Sequence, residues 1–260
     1  MVLASCSMFA DLSGFSNGSA SGPGASTSTV DGSTIVDGST VDGSTTGDQP
    51  QGDASNGAVF HDDFERPDGP VGNGWLQKVG GAFSLRQGRL RMMDGSHQDL
   101  VLARPAAEDV RDVEVAIEVI YTSIPTASST DAYVAARIQR STLTTPGNSD
   151  AYVGYIADYT RLKIGRSLGD NVATLRDVPL PKAVDTSHAY RLRLRVTGTS
   201  PVALSVLVEE RALAAQEWTK IAETQFNDGD PSRIEQAGAV GVVSDTRAPY
   251  EFEWFTRTAL

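Results

Sequence analysis

From about residue 58 onward, apolar residues recur at every second position, in short runs broken by Gly, Pro, Asn and Asp. No helical period competes with this alternation. A chain patterned in this way is suited to β-sheet with one face buried and the other facing solvent. The run 112–121 is the clearest case: Val113, Val115, Ile117, Val119 and Tyr121 share one face, and Asp112, Glu114, Ala116 and Glu118 share the other. The run 188–196 repeats the pattern, with Tyr190, Leu192, Leu194 and Val196 on the inner side and Arg191, Arg193 and Arg195 on the outer. Laid beside one another, the two outer faces predict a cross-strand charge ladder of Asp112, Glu114 and Glu118 against the three arginines.

Residues 1–57 have a different composition. No Lys, Arg or His occurs there, bulky apolar residues are sparse, and Val-Asp-Gly-Ser-Thr recurs from Val30, Val36 and Val41. Such a segment cannot bury enough surface to offset its conformational entropy, so a disordered Ser/Gly/Thr/Asp-rich tether is expected before a folded domain at 58–260. A flexible chain of that length has a root-mean-square reach of roughly 40 Å, which suits a spacer. Its six aspartates supply more than half of the formal net charge of −11. With no overall basic surface, nucleic acid is not an expected partner.

The single cysteine, Cys6, rules out an internal disulfide framework. The segment Leu3-Ala4-Ser5-Cys6 resembles the lipobox of bacterial lipoproteins, in which the cysteine is lipidated and becomes the N-terminus. That resemblance implies a membrane partner through a lipid anchor at Cys6, an extracytoplasmic location at the outer membrane or cell surface, and a basic then apolar leader in frame upstream of Met1. Without lipidation, a secreted protein is expected. No run of about 20 apolar residues is present, so no spanning helix is expected.

The remaining strand candidates are 59–64, 82–85, 89–93, 100–104, 133–139, 151–159, 162–166, 173–177, 202–209, 218–224, 237–243 and 250–258. With the two runs above, this makes about fourteen short strands, too many for an immunoglobulin-like domain and suited to an all-β, two-sheet antiparallel jelly-roll sandwich. Gln87-Gly88 and Gly198 supply the permissive backbone that reversals need. Residues 212–216 fit either a helical turn or a hairpin tip.

Two blocks carry a resemblance to a known superfamily. The first is Phe60-His61-Asp62-Asp63-Phe64-Glu65-Arg66-Pro67-Asp68-Gly69 followed by Gly72-Asn73-Gly74-Trp75, continued by Phe83-Ser84-Leu85 and Gly88-Arg89-Leu90. The second is Gly238-Ala239-Val240-Gly241-Val242 followed by Tyr250-Glu251-Phe252-Glu253-Trp254-Phe255. Together they resemble the concanavalin A-like lectin/glucanase domains, and within them the LamG-like and 3-keto-disaccharide hydrolase-like jelly rolls. The resemblance implies that the first and last strands lie side by side in one sheet.

Glucanases of this superfamily carry a Glu-x-Asp-x-x-Glu type motif, whereas this chain has no Glu-x-Asp at all. The nearest carboxylates for acid and nucleophile roles are Glu114 and Glu118, on one strand face. Ordinary ladder ion pairs are the stronger reading of both, so no catalytic residue is assigned. His61, His97 and His188 lack metal-ligand spacing, and no Gly-x-Ser-x-Gly elbow occurs. A structural calcium is implied by the resemblance at Asp63 and Glu253, near the chain ends, and the oxygen-rich loop Asn227-Asp228-Gly229-Asp230 offers Asp228 and Asp230. For a sugar, Tyr133, Arg137 and Gln139 share a face of one strand, and Tyr155 and Tyr159 a face of the next. Trp75 and Trp254 read as core residues.

These features imply an extracytoplasmic, surface-displayed binding module that recognises glycan or cell-envelope polysaccharide without catalysis, the ligand class coming from the family resemblance. A saccharide-acting enzyme, either a glycoside hydrolase or a 3-keto-glycoside-cleaving protein, and a structural envelope protein are the alternatives.

Overall fold

A computed structural model describes residues 59–93, 100–104, 109–124, 131–142, 149–169, 171–244 and 250–260. The chain divides into two units, Met1–Gln51 and Gly52–Leu260, and every described residue belongs to the second. The tether and Cys6 lie outside the described residues.

The second unit is a two-sheet antiparallel jelly-roll sandwich. Its strands are β1 (Val59–Asp62), β2 (Gly69–Pro70), β3 (Leu76–Gln77), β4 (Phe83–Arg86), β5 (Arg89–Met92), β6 (Leu100–Arg104), β7 (Val113–Tyr121) and β8 (Ala132–Ile138). They continue as β9 (Ala151–Ala157), β10 (Arg161–Leu168), β11 (Asn171–Pro179), β12 (His188–Thr197), β13 (Val202–Ala212), β14 (Thr219–Asp228), β15 (Ala239–Ser244) and β16 (Tyr250–Ala259). One sheet, here sheet A, runs β14-β13-β12-β7-β16-β5-β4-β2, with β1 also paired to β16. The other, sheet B, runs β11-β10-β9-β8-β15-β6-β3. The first and last strands are antiparallel neighbours, Val59 opposite Thr258 and Asp62 opposite Phe255. Residues 212–216 form a hairpin tip, closed by the Ala215 N–H donating to the Ala212 carbonyl at 2.8 Å.

Period two dictates what the sandwich buries. Val113, Val115, Ile117 and Val119 of β7, with Tyr190, Leu192, Leu194 and Val196 of β12, are wholly buried against Val134, Tyr152, Ile156, Leu162 and Ile164 of sheet B. Each fully buried aliphatic side chain of this kind contributes about 1.5 to 3 kcal/mol. Across this layer the sheets approach closely at Gly154, where a Cβ would stand 2.7 Å from Val206 Cγ2 and 3.4 Å from Leu194 Cβ. Glycine is needed there because any side chain would push the sheets apart.

The opening block is organised by one carboxylate. Asp62, at the end of β1, accepts hydrogen bonds from the Phe64 N–H at 3.0 Å, Arg66 Nη1 at 2.6 Å, Asn73 Nδ2 at 2.9 Å and Trp75 Nε1 at 2.7 Å. Burial alone would raise its pKa, but these donors outweigh burial and hold it at about 2. Trp75 lies in the core, edge-on to Phe255 with ring centroids 5.0 Å apart.

A second buried charge ties the sheets together. Asp228, ending β14 of sheet A, accepts from Tyr152 Oη at 2.8 Å and from Arg166 Nη1 at 2.8 Å, both in sheet B.

Replacing Gly154 by Ala is expected to cost about 1 to 3 kcal/mol, since overpacking here cannot be relieved by a flexible chain end. Urea unfolding of the variant should show a lower midpoint with an unchanged slope. A midpoint within error of the parent would refute the close-approach argument.

Candidate functional site

The outer face of sheet A carries a row of charged side chains. Its character is set by a bulge in β16: Phe252 pairs with Val119 and Phe255 with Ile117, so Glu253 and Trp254 together oppose Glu118. Strict alternation would have sent Trp254 inward with Phe252. The extra residue turns it outward instead, which corrects the expectation that Trp254 is core. The sequence held a signal for this, because the aromatic positions 250, 252, 254 and 255 break period two at their end.

Glu118 is thereby enclosed. Its Oε1 accepts from Arg211 Nη2 at 2.6 Å and its Oε2 from Trp254 Nε1 at 2.5 Å. Burial raises its pKa; Arg211 works against this, while the Glu253 carboxyl, within hydrogen-bonding reach, raises it further. Glu118 lies opposite Arg191 in register, yet Arg191 bonds to Glu209 at 2.5 Å. The guanidiniums of Arg191 and Arg211 both lie over the Trp218 ring, 4.7 and 5.0 Å from its centroid.

Around this carboxyl pair opens a cleft of about 540 Å³. The walls come from His61 of β1 and Asp63 and Glu65 just after it, from Gln87, Gly88 and Arg89 of the β4–β5 hairpin, and from Arg211 of β13. The His61 and Trp254 rings stand 6.3 Å apart at an angle of 38°. Arg89 reaches Glu251 at 3.1 Å and Glu253 at 3.8 Å. A second cleft, of about 650 Å³, opens on the same face among Arg195 and Thr197 of β12, Ala203 and Ser205 of β13, Glu223, Gln225 and Asn227 of β14, and Arg176 of β11.

The charge ladder forms, with different partners from those that simple opposition predicts. Glu114 faces Arg195 in register but pairs with Arg193 at 3.5 Å, and Arg193 also reaches Glu209 at 3.1 Å. Asp112 lies just outside β7 and accepts from the Gly198 N–H at 2.8 Å. Glu114 and Glu118 thus have separate arginine partners, and the carboxyl that Glu118 meets belongs to Glu253 instead.

The four ligand-binding residues read from the sequence do not form one platform. A bulge in β8, where Ala135 pairs with Gly241 and Ile138 with Ala239, reverses the parity of Arg137, whose φ is +53°. Its side chain is 0% exposed and donates to the carbonyls of Arg111, Ile234 and Gly198 at 2.7 to 2.9 Å. Gly238 packs onto this bulge, where a Cβ would lie 2.6 Å from the Arg137 carbonyl carbon. Arg137 is a structural clamp, with no face left for a ligand. Gln139 donates to the Arg137 carbonyl at 2.9 Å.

Tyr133 and Tyr155 do meet on the outer face of sheet B, stacked with centroids 4.4 Å apart. Each ring turns one face to the other, and Tyr155, 5% exposed, packs in a satellite apolar cluster with Ala135, Val153 and Ala157. Tyr159 does not join them. Asp158 and Tyr159 both have positive φ, as a type I′ turn requires, and this sends Tyr159 into the core edge-on to Tyr121.

The residues named for calcium are engaged by other partners. Both Asp228 oxygens are already engaged by Arg166, and Asp230 accepts from the Ser232 N–H and hydroxyl. Asp63 and Glu253 line one cleft, but Asp63 accepts from the Glu65 N–H, and Arg89 and Arg211 flank Glu253. Among the described residues no group of three or more His, Cys, Asp or Glu is disposed to hold a metal.

No known family matches the chain, and no curated protein does. Solved structures of similar shape include a xylan β-1,4-xylosidase from Bacillus halodurans C-125, at 16% identity over 76% of this chain and 38% of that one, TM-score 0.47. A carbohydrate-binding module, CBM66 from Bacillus subtilis, is similar at 9% identity over 72% of this chain and 96% of that one, TM-score 0.48. A legume lectin-like domain from Entamoeba histolytica is similar at 8% identity over 72% of this chain and 90% of that one, TM-score 0.47. The chain spans less than two fifths of the length of the xylosidase. At such identities the likeness concerns the fold alone.

Arg211→Met is expected to leave Glu118 buried without its cation. The sign follows from the raised acid: the cost is absent below the unfolded carboxyl value and grows as pH rises above it. A loss of about 2 to 4 kcal/mol at pH 7, shrinking toward zero near pH 4, is expected in chemical denaturation. Adding Glu118→Gln should recover most of it. A loss of equal size at both pH values would exclude the proposed pairing.

Proposed function

We propose that the domain is an extracytoplasmic, surface-displayed carbohydrate-binding module, held to a membrane through a lipid on Cys6, and that it binds without cleaving. The observation that carries this reading is the cleft at Trp254. It sets an indole and an imidazole beside planar polar groups, Glu118, Glu253, Arg89, Arg211 and Gln87, within one open concavity. Aromatic rings pack against the C–H faces of sugars, and fixed bidentate groups read their hydroxyls. The superfamily resemblance of the opening and closing blocks supports the same ligand class, since both blocks contribute walls of this cleft.

Commitment of both Glu118 oxygens to Arg211 and Trp254 favours binding over catalysis, because a nucleophile or general acid needs an oxygen free for substrate. One observation favours a glycoside-cleaving enzyme instead: Glu118, with a raised pKa, stands beside a second carboxyl in a cleft. The test separates them. The full chain, with and without calcium, is assayed on a glycan array and on insoluble polysaccharides, and the same mixtures are assayed for released reducing ends.

The expected outcome is binding without release. Trp254→Ala should weaken binding at least tenfold while leaving the melting temperature within a few degrees. Release that Glu118→Gln abolishes and Glu114→Gln does not would replace the module with an enzyme. Absence of binding under every condition would favour a structural envelope protein. The anchor has its own test: the frame upstream of Met1 should encode a basic then apolar leader, and an in-frame stop directly before it would remove lipidation at Cys6.

A further inference from the structure

The two clefts on sheet A differ in the state of their guanidiniums. Along the face, Arg191, Arg193 and Arg211 are each bound to a carboxylate, as is Arg89 at the start of β5. Arg195 is exposed and lies directly opposite Glu114 and Ser205, yet makes no ion pair or hydrogen bond among the described residues. Arg176 is equally uncommitted, and reaches the same cleft from β11, the edge strand of the other sheet. The single carboxylate among the residues lining this cleft, Glu223, has its charge met by Lys220 at 2.8 Å. Ser205, Gln225 and Asn227 add neutral hydrogen-bonding groups.

The cleft at Trp254 has the opposite balance. Four carboxyls line it against two arginines, and both arginines are paired. On a chain of formal net charge −11, two unpaired guanidiniums converging on one concavity stand out as a place where negative charge on a ligand is favoured.

We propose that the cleft between Arg176 and Arg195 is an anion subsite that takes an oxyanion borne by a glycan, either a uronate-type carboxylate or a sulfate ester. This rests on the carbohydrate reading above for the polymer that carries the charge. The guanidinium forks bind two oxygens each, and Gln225, Ser205 and Asn227 serve the neighbouring hydroxyls. Along β12 the step from Arg191, opposite Glu118, to Arg195 is four residues, or about 13 Å. A ligand engaging both clefts is therefore longer than one monosaccharide.

The test uses one backbone in three forms: dextran, carboxymethyl-dextran and dextran sulfate. Binding to the full chain is measured by affinity electrophoresis at low salt and again at 150 mM salt. The wild type is expected to bind at least one charged form at least tenfold more tightly than dextran, and the two charged arms distinguish carboxylate from sulfate. Arg176→Gln with Arg195→Gln should abolish that preference, while Arg86→Gln, on β4 outside both clefts, should leave it intact.

Trp254→Ala separates the two readings. It should weaken binding to neutral polysaccharide and leave the ratio of charged to neutral binding unchanged. Equal affinity for all three dextrans, or a preference that survives the double arginine variant, overturns the anion subsite. If dextran sulfate and carboxymethyl-dextran bind through these arginines while no neutral glycan binds anywhere, the anion subsite stands and the Trp254 reading falls.

Discussion

The inner faces of the two sheets meet across one apolar layer, and everything else in the domain depends on how closely they meet. A chain with one cysteine has no internal cross-link to hold them. Burial of alternate residues on β7, β12 and β13 against β8, β9 and β10 must supply the cohesion. Gly154 permits a close approach, with Val206 seated where its side chain would be. Interiors at this density transmit displacement, so a spacing set here governs the strand ends where the polar clusters lie.

Those clusters share a logic. Asp62, Arg137 and Asp228 are all buried, and each is surrounded by enough donors or acceptors to offset its desolvation. Each joins segments distant in sequence: Asp62 the opening strand to Asn73 and Trp75, Arg137 the backbones at Arg111, Gly198 and Ile234, and Asp228 one sheet to the other. An apolar layer is tolerant of sliding, whereas a buried charge is satisfied in one arrangement only. Together the three define which strand ends adjoin, and hence where the clefts open.

Period-two alternation made the strands and their inner faces readable from the sequence, because every strand of the core keeps one face buried. The opening block was readable as a motif, and Asp62 supplies the reason, since four of its residues, at 64, 66, 73 and 75, donate to that one carboxylate. The site was not readable, for a single physical cause met three times. A bulge at Glu253-Trp254, a bulge at Arg137 and a type I′ turn at Asp158-Tyr159 each reverse the facing of the side chains at those positions. Alternation extended through those points placed Trp254 inside, Arg137 outside and Tyr159 beside Tyr155. Bulges depend on backbone dihedrals and cross-strand register, which a pattern of side chains encodes only indirectly.

The β16 bulge also shapes the polar cluster around Glu118 on sheet A. By setting two residues against Glu118, it brings a carboxyl and an indole onto a position that a regular ladder would fill with one side chain. Glu118 then draws Arg211 to itself, Arg191 turns to Glu209, and Arg193 is shared between Glu209 and Glu114. Arg191 and Glu209 face each other across β12 and β13, whereas Glu114 takes Arg193 in place of Arg195, which lies opposite it. At the far end of the row Arg195 is left facing Glu114, which is already bound to Arg193. Arg195 stays uncommitted among the described residues because Glu114 is met by Arg193, and the second cleft keeps a free guanidinium where the first has only paired ones.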